Sequence, residues 1–256
     1  MVKEDTEPTP LKGRAVFEPW DFESLAEGRA RSSEFNDRRL AARRRLLGLG
    51  KAFVPRAKAL GTSLEARSSL HHPHAFNGGA VRRLWTYITR AKGEKSKLRG
   101  VLGRDLAKDL DSAYRNAYLY LALEPTGFEV GLRIHQDAWY DGQNLAKRVA
   151  AEGHRPWLEI LGQLDGYQLR LHDWKGEWRC GSLEPEQLEE FCRFWTPGEH
   201  QLVVDRSLPL PAGMDERARA LEEEDWAERL LDELERLVPL YRYAAWSKGE
   251  SDFLFG

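Results

Sequence analysis

The chain has 256 residues, of which 41% are hydrophobic and 11% aromatic, and its formal net charge is −2. These values exclude a wholly disordered protein, and the length suits one large domain or two small ones. The sequence has no apolar run long enough to cross a membrane. The two cysteines, Cys180 and Cys192, are twelve residues apart and favour a reducing compartment. We therefore expect a soluble, cytoplasmic protein.

Charge is distributed very unevenly along the chain. Residues 29–104 contain 19 Lys and Arg against four acidic residues, so this stretch carries about +15 and the remainder about −17. Blocks of opposite charge predict a basic surface that attracts phosphates, an acidic partner or the acidic half of the chain itself.

The first predicted elements are helical. Residues 1–18 contain Pro8 and Pro10 and are expected to be flexible, whereas residues 19–256 are expected to form a single domain. A helix beginning near residue 32 places apolar residues on one face, namely Phe35, Ala42, Leu46, Leu49 and Phe53. Pro55 is expected to mark a break between two helices. A strand over residues 83–89 and a short helix over residues 101–110 follow.

Residues 117–134 predict a β-hairpin. Two alternating segments, 117–123 and 128–134, are joined by the turn-forming residues 124–127. If Leu123 lies opposite Phe128, then Leu121 meets Val130, and every apolar residue of the pair is on one face. The other face then carries Tyr118, Tyr120, Glu129, Arg133 and His135.

The remaining elements complete an α+β pattern. Helices are predicted over residues 138–151 and 157–164, and a second hairpin over residues 167–180 with its turn at 173–176. A helix capped by Ser182, a strand over residues 200–205 and a long helix from Asp215 to Pro239 follow. This order predicts helices packed on a mixed, largely antiparallel sheet that contains two hairpins.

Residue types that often carry chemistry do not form an established motif. His71, His72 and His74 lie in one Pro- and Gly-containing loop, and a single short loop rarely supplies three metal ligands. Both cysteines occupy apolar positions, where cysteine behaves as a small hydrophobic residue. The acidic run at residues 222–225 is typical of a solvated helix face. We therefore predict neither a metal nor another cofactor.

The basic stretch contains the main candidate site. Long cationic side chains next to the aromatic strand could bind phosphates, while its aromatic rings could stack on bases. The residues concerned are Arg43, Arg44, Arg90, Lys92, Lys95, Lys97 and Arg99. This hypothesis describes a non-catalytic binding protein with a nucleic acid or an acidic protein as its partner. The alternative is that these side chains pair with the acidic C-terminal half.

A second hypothesis is an enzyme of undefined reaction. Its pocket would lie on the polar side of the first hairpin and would be lined by Tyr118, Tyr120, Arg133 and His135, joined by His71 and His74 from the histidine loop. An enzyme predicts a concave site with shifted pKa values, whereas a binding protein predicts a broad cationic surface.

The first hairpin also carries a family resemblance. Its sequence, YLALEPTGFEVG at residues 120–131, is similar to the Tyr-Leu-x-Leu-Glu-Pro-x-Gly hairpin of domain-of-unknown-function family 2461. The resemblance extends over residues 80–165, with Arg90, Lys92, Lys95 and Lys97 in place of that family's basic strand and loop. It implies an α+β fold and no particular activity.

Overall fold

A computed structural model describes residues 17–68, 79–171 and 178–256. The α-helices are α1 (Pro19–Glu23), α2 (Asn36–Ala59), α3 (Lys92–Leu106), α4 (Trp139–Glu152), α5 (Arg155–Gly162), α6 (Pro185–Phe194), α7 (Met214–Glu223), α8 (Trp226–Arg236) and α9 (Val238–Ala244). The strands are β1 (Leu64–Ser68), β2 (Leu84–Arg90), β3 (Ala117–Glu124), β4 (Gly127–Ile134), β5 (Gln168–Leu171), β6 (Trp178–Arg179) and β7 (Leu202–Pro209).

The described strands form one seven-stranded sheet in the order β1-β2-β3-β4-β7-β5-β6. Every neighbouring pair is antiparallel. Strand β7, the last in the chain, lies between the β3–β4 hairpin and the β5–β6 pair. The predicted α+β class is confirmed, and the described sheet is antiparallel throughout.

The first hairpin has the predicted register. Leu123 lies opposite Phe128, and Leu121 lies opposite Val130. The turn is tighter than predicted, because Glu124 and Gly127 already pair and only two residues connect them. Gly127 has φ +148°, and a Cβ there would lie 2.3 Å from the Leu208 carbonyl oxygen, so this position requires glycine.

The two sides of the sheet differ in character because alternate strand residues point in opposite directions. One side, the apolar face, carries residues such as Leu119, Val130 and Val204, which share one core with residues of α2, α4, α8 and α9. We call the other side the polar face. It carries Trp85, Tyr87, Tyr118, Tyr120, Glu129, Arg133, Arg170, Val203 and Asp205.

Helix α2 extends through Pro55, so the predicted break at this proline is wrong. The predicted apolar stripe of Ala42, Leu46, Leu49 and Phe53 is buried, and it continues beyond the proline to the buried Ala57. Most helix stability comes from packing an apolar face, and here that packing outweighs the one hydrogen bond that a proline removes.

Three other helix boundaries differ from the prediction. Helix α3 begins at Lys92, nine residues before the predicted start, so the Lys- and Gly-containing run is helical. Helix α6 is capped by Glu184, whose capping box with Gln187 replaces the predicted cap at Ser182. The predicted long C-terminal helix is three helices, and Pro239 lies in the first turn of α9, where proline is tolerated.

Two predictions concern residues that are largely outside the described part of the chain. These are the flexible segment 1–18 and the second hairpin's turn at 173–176. Within the first, Phe17 is described and belongs to the core, where its ring packs on Phe22 and Phe128. No helix of the described ranges combines the length and apolar character needed to cross a bilayer.

Candidate functional site

Two of the seven residues proposed to bind a polyanion, Arg90 and Lys95, are buried and neutralised. Arg90 donates to both oxygens of Asp141, at 2.6 and 3.0 Å, and Lys95 Nζ lies 2.8 Å from Glu65 and 3.2 Å from Asp111. Burial acts to lower the pKa of Arg90, but the Asp141 carboxylate more than offsets it and the pKa is raised. These two cations are therefore not available to a polyanion.

The other five basic residues are divided between helices α2 and α3. Arg43, with Arg44 beside it on α2, bonds to Ser68 at the end of β1. Helix α3 carries Lys92, Lys97 and Arg99 and follows Arg90, which pairs with the first residue of β1. A Cβ at Gly50 of α2 would contact Ala66 of β1, whereas Lys95 of α3 contacts the adjacent Glu65, so the two helices lie on opposite sides of this strand. The seven residues therefore do not form one continuous exposed surface.

Pairing between the basic and acidic halves of the chain does occur at Arg56. This α2 residue contacts three acids of α8, with its nitrogens 2.6 Å from Glu228, 3.4 Å from Asp232 and 3.1 Å from Glu235. These ion pairs between the basic and acidic parts of the sequence therefore hold α2 against α8.

Three residues of the alternative pocket, Tyr118, Tyr120 and Arg133, do gather on the polar face. The Tyr118 and Tyr120 ring centroids are 6.2 Å apart, and Arg133 Cζ lies 5.0 Å from the Tyr120 centroid. His135 is at the end of β4, where its ring contacts Tyr114 and its Nδ1 lies 3.6 Å from Asp137. The other two proposed residues, His71 and His74, lie outside the described residues.

Tyr120 connects three strands of the polar face. Its hydroxyl lies 2.7 Å from Glu129 Oε1 on β4 and 3.1 Å from Asp205 Oδ2 on β7. Gly131 occupies the position between Tyr120 and Asp205, and a Cβ there would lie 2.7 Å from Asp205 Cβ and 2.9 Å from Tyr120 Cζ. The missing side chain at Gly131 thus lets the tyrosine reach across β4.

Two further arginines complete the cluster. Arg83 donates to Glu129 at 2.6 Å and lies 3.2 Å from Glu124, and Arg170 of β5 donates to Asp205. The sequence assigned neither arginine nor Asp205 to the site. Alternation indicates which face of a strand a residue occupies, but it does not indicate that β7 lies beside β4 and β5 beside β7.

Burial changes the protonation of this cluster. It raises the pKa of Asp205 and of Glu124, although Arg170 and Arg83 act in the opposite direction. The pKa of Tyr120 is raised well above its ordinary value, first by burial and then by the charges of Asp205 and Glu129. The tyrosine therefore stays protonated, and Asp205 takes up a proton more readily than an exposed aspartate.

Arg133 and Arg170 each keep one unused donor in the protein. The Nε–H of both guanidinium groups is buried and has no hydrogen-bond partner. In the sheet register, Val203 lies directly opposite both arginines and is itself buried. A buried N–H without an acceptor costs about 1–3 kcal/mol.

The described residues give little support to a metal-ion site or to a nucleophilic cysteine. Within them, no group of three or more His, Cys, Asp and Glu is arranged to hold a metal ion, and the histidine loop lies outside them. Burial raises the pKa of Cys180 to about 12 and that of Cys192 to about 11. Both thiols are therefore poor nucleophiles at neutral pH.

Comparisons with known proteins add no relative of this chain. No protein-family model matches it. No curated protein matches it either. The resemblance of residues 80–165 to domain-of-unknown-function family 2461 therefore stays a prediction.

Proposed function

We propose that the protein is a non-catalytic binding protein whose polar face takes an anionic ligand, with single-stranded nucleic acid as the ligand class. The observation that supports this most directly is the pair of partly exposed arginines, Arg133 and Arg170, on either side of Val203. Arginine donors of this kind suit phosphate oxygens. The proposed site lies on the polar face of the sheet rather than at the seven basic residues that the sequence suggested.

Aromatic side chains beside these arginines support a nucleic acid over a simple anion. Trp85 is half-buried, and its ring packs 5.7 Å from Tyr87 and 5.8 Å from Tyr118, which are both buried. Antiparallel sheets commonly bind single strands by combining arginines with aromatic rings. Here Trp85 provides the accessible ring, and the two tyrosines hold it in place.

The charge balance of the cluster gives the proposal a pH dependence. Three arginines, Arg83, Arg133 and Arg170, face three carboxyl groups, those of Glu124, Glu129 and Asp205. Because burial raises the pKa of Glu124 and Asp205, these two carboxyl groups take up protons more readily on acidification, which leaves the arginines in excess. Binding of a phosphate chain should therefore strengthen as the pH falls from 7 towards 5.

The test is a fluorescence-anisotropy titration with a labelled oligothymidylate at two salt concentrations. We expect log affinity to fall with log salt by about 0.7 per phosphate neutralised, and Arg170→Ala to lower both affinity and that slope. Arg170 suits this test because its side chain is 40% exposed. The matched control is Arg155→Ala on α5, whose side chain is 88% exposed.

Four outcomes would count against the proposal. Absence of oligonucleotide binding by the wild-type protein at low salt would refute it. Equal loss of binding in Arg155→Ala would show non-specific attraction. Loss of oligonucleotide affinity in a Lys92→Ala/Arg99→Ala double variant, together with unchanged affinity in Arg170→Ala, would place the binding site on α3. Equal competition by polyglutamate would assign a general polyanion, including an acidic protein, in place of nucleic acid.

A second candidate function is an enzyme that uses acid–base chemistry on the same face. One specific observation favours it: carboxyl oxygens of Glu129 and Asp205 both lie within 3.1 Å of the Tyr120 hydroxyl, and the pKa of Asp205 is raised. Turnover of a chromogenic ester, phosphate or glycoside that disappears in Asp205→Asn but persists in Arg155→Ala would favour the enzyme.

We also propose a cytoplasmic location. Cys180 and Cys192 both carry free thiols in the structure, which suits a reducing compartment. Fractionation of cells that produce the tagged full-length chain tests this, and recovery in the membrane or secreted fraction would contradict it.

A further inference from the structure

Two neighbouring cavities lie away from the polar face. A polar cavity of about 130 Å³ is enclosed by the turn after α2, the first turns of α3 and the segment after α9. A larger cleft of about 410 Å³ lies beside it, between the end of α2, α5 and α9. Arg242 and Glu250 line both spaces, so the two adjoin across these side chains.

The polar cavity has an excess of positive charge. Lys97, Arg242 and Lys248 line it together with Glu94 and Glu250. Lys97 pairs with Glu94 at 2.7 Å, and Arg242 lies 4.0 Å from Glu250. Lys248 is exposed and has no carboxylate partner within the described ranges. The lining therefore favours an anion.

An unsatisfied hydroxyl group also indicates that the polar cavity can bind a ligand. Thr62 lines the polar cavity and is only 7% exposed, yet its Oγ1 is buried without a hydrogen-bond partner. The N-terminus of the 15-residue helix α3 is next to this cavity through Glu94, and its N-cap residue, Ala91, has no side chain that could cap it. A ligand oxygen would satisfy the hydroxyl and complement the helix dipole.

The adjoining cleft is suited to an apolar group. Leu60, Ile160, Val238 and Pro239 line it, and Leu60 is 43% exposed although it is a large apolar residue. Apolar lining with a few convergent polar groups at one end is typical of sites for small organic molecules.

We propose that these two cavities form one binding site for an amphipathic organic anion. Its phosphate or carboxylate group occupies the polar cavity, between Thr62 and Lys248, and its alkyl or aromatic body lies in the cleft against Leu60 and Val238. Arg242, at the boundary, contacts both parts. The site is separate from the polar face and does not depend on the function proposed for that face.

Isothermal titration calorimetry with four probes tests the proposal: octyl phosphate, octanoate, octanol and inorganic phosphate. We expect saturable one-to-one binding of octyl phosphate or octanoate, and the tighter of the two identifies the head group. Absence of saturable binding for both would overturn the proposal. Octanol binding as tightly would overturn the role of the anion, and inorganic phosphate binding as tightly would overturn the role of the cleft.

Two variants locate the site. Lys248→Ala should weaken binding by about tenfold, because it removes a charged donor. Thr62→Val removes a hydroxyl that has no partner in the free protein, so it should weaken binding while leaving the melting temperature equal or higher. Lys51→Ala, an exposed α2 residue that lines neither cavity, is the control. Unchanged affinity in both cavity variants would overturn the location.

Discussion

The Tyr120 hydroxyl has one proton and lies within hydrogen-bond distance of two carboxyl groups, those of Glu129 and Asp205. It can donate to only one of them at a time. When Asp205 carries a proton, that carboxyl group can donate to Tyr120 while Tyr120 donates to Glu129. Burial raises the pKa of Asp205, although the Tyr120 hydroxyl and Arg170 act in the opposite direction.

A pH dependence of stability follows from Asp205. Because its pKa is higher in the folded chain than in the unfolded one, its contribution to stability is complete below the ordinary aspartate pKa and is lost as the pH rises through the folded value. Asp205→Asn stays neutral throughout. Its free energy of unfolding relative to wild type should therefore be least favourable near pH 4 and should improve towards pH 7, by roughly 1.4 kcal/mol per unit of pKa elevation.

Urea unfolding of both proteins between pH 4 and pH 7 measures this difference. Asp105→Asn, an exposed residue of α3, is the control and should stay within about 0.5 kcal/mol of wild type at each pH. A deficit of Asp205→Asn that grows with rising pH would contradict the direction given for Asp205.

At the scale of elements, the close contact of β3, β4 and β7 depends on Gly131. Replacing Gly131 with Ala places a Cβ 2.7 Å from both Asp205 Cβ and the Val204 carbonyl oxygen. Because one of these atoms is backbone, the strands must move apart, and we expect a loss of about 1–3 kcal/mol in the free energy of unfolding.

Gly100→Ala is the matched control for this substitution. Gly100 lies within α3, and a Cβ there meets nothing within 4 Å, so alanine should be neutral or stabilising by up to about 1 kcal/mol. Equal urea midpoints for Gly131→Ala and wild type would show that β4 is not closely packed against its neighbours.

Local sequence patterns were sufficient for some elements and not for others. Alternation of apolar residues determines which register buries them, and Leu123 therefore lies opposite Phe128 as predicted. The same patterns do not reveal neighbours that are distant in the chain. Asp205 joins Tyr120 only because β7 inserts beside β4, and Pro55 stays helical only because Ala57 is buried against the rest of the core.

At the scale of the whole molecule, Asp141 of α4 connects three distant parts of the chain. Its carboxylate binds Arg90 of β2, accepts the Ala117 N–H of β3 at 2.6 Å, and accepts the Trp246 N–H near the C-terminus at 2.9 Å. The carboxylate is fully buried, and Arg90 is the positive charge that compensates it.

Arg90→Met should therefore destabilise the protein by about 3–5 kcal/mol, because it leaves a buried carboxylate without its counter-ion. An Arg90→Met/Asp141→Leu double variant should not recover this loss, since the Ala117 and Trp246 N–H groups lose their acceptor. Arg155→Met at an exposed position is the control. Urea unfolding measures all three, and a loss below about 1 kcal/mol in Arg90→Met would contradict this role of Asp141.

The position of β7 between two hairpins has a consequence for the order in which the chain assembles. The β3–β4 hairpin closes over two residues. Ile134 of β4 can pair with Leu202 of β7 only after roughly 70 further residues of chain have been made. Until then, β4 has an unpaired edge, and the β5–β6 pair has no strand on which to dock. During synthesis this edge is open to pairing with another chain.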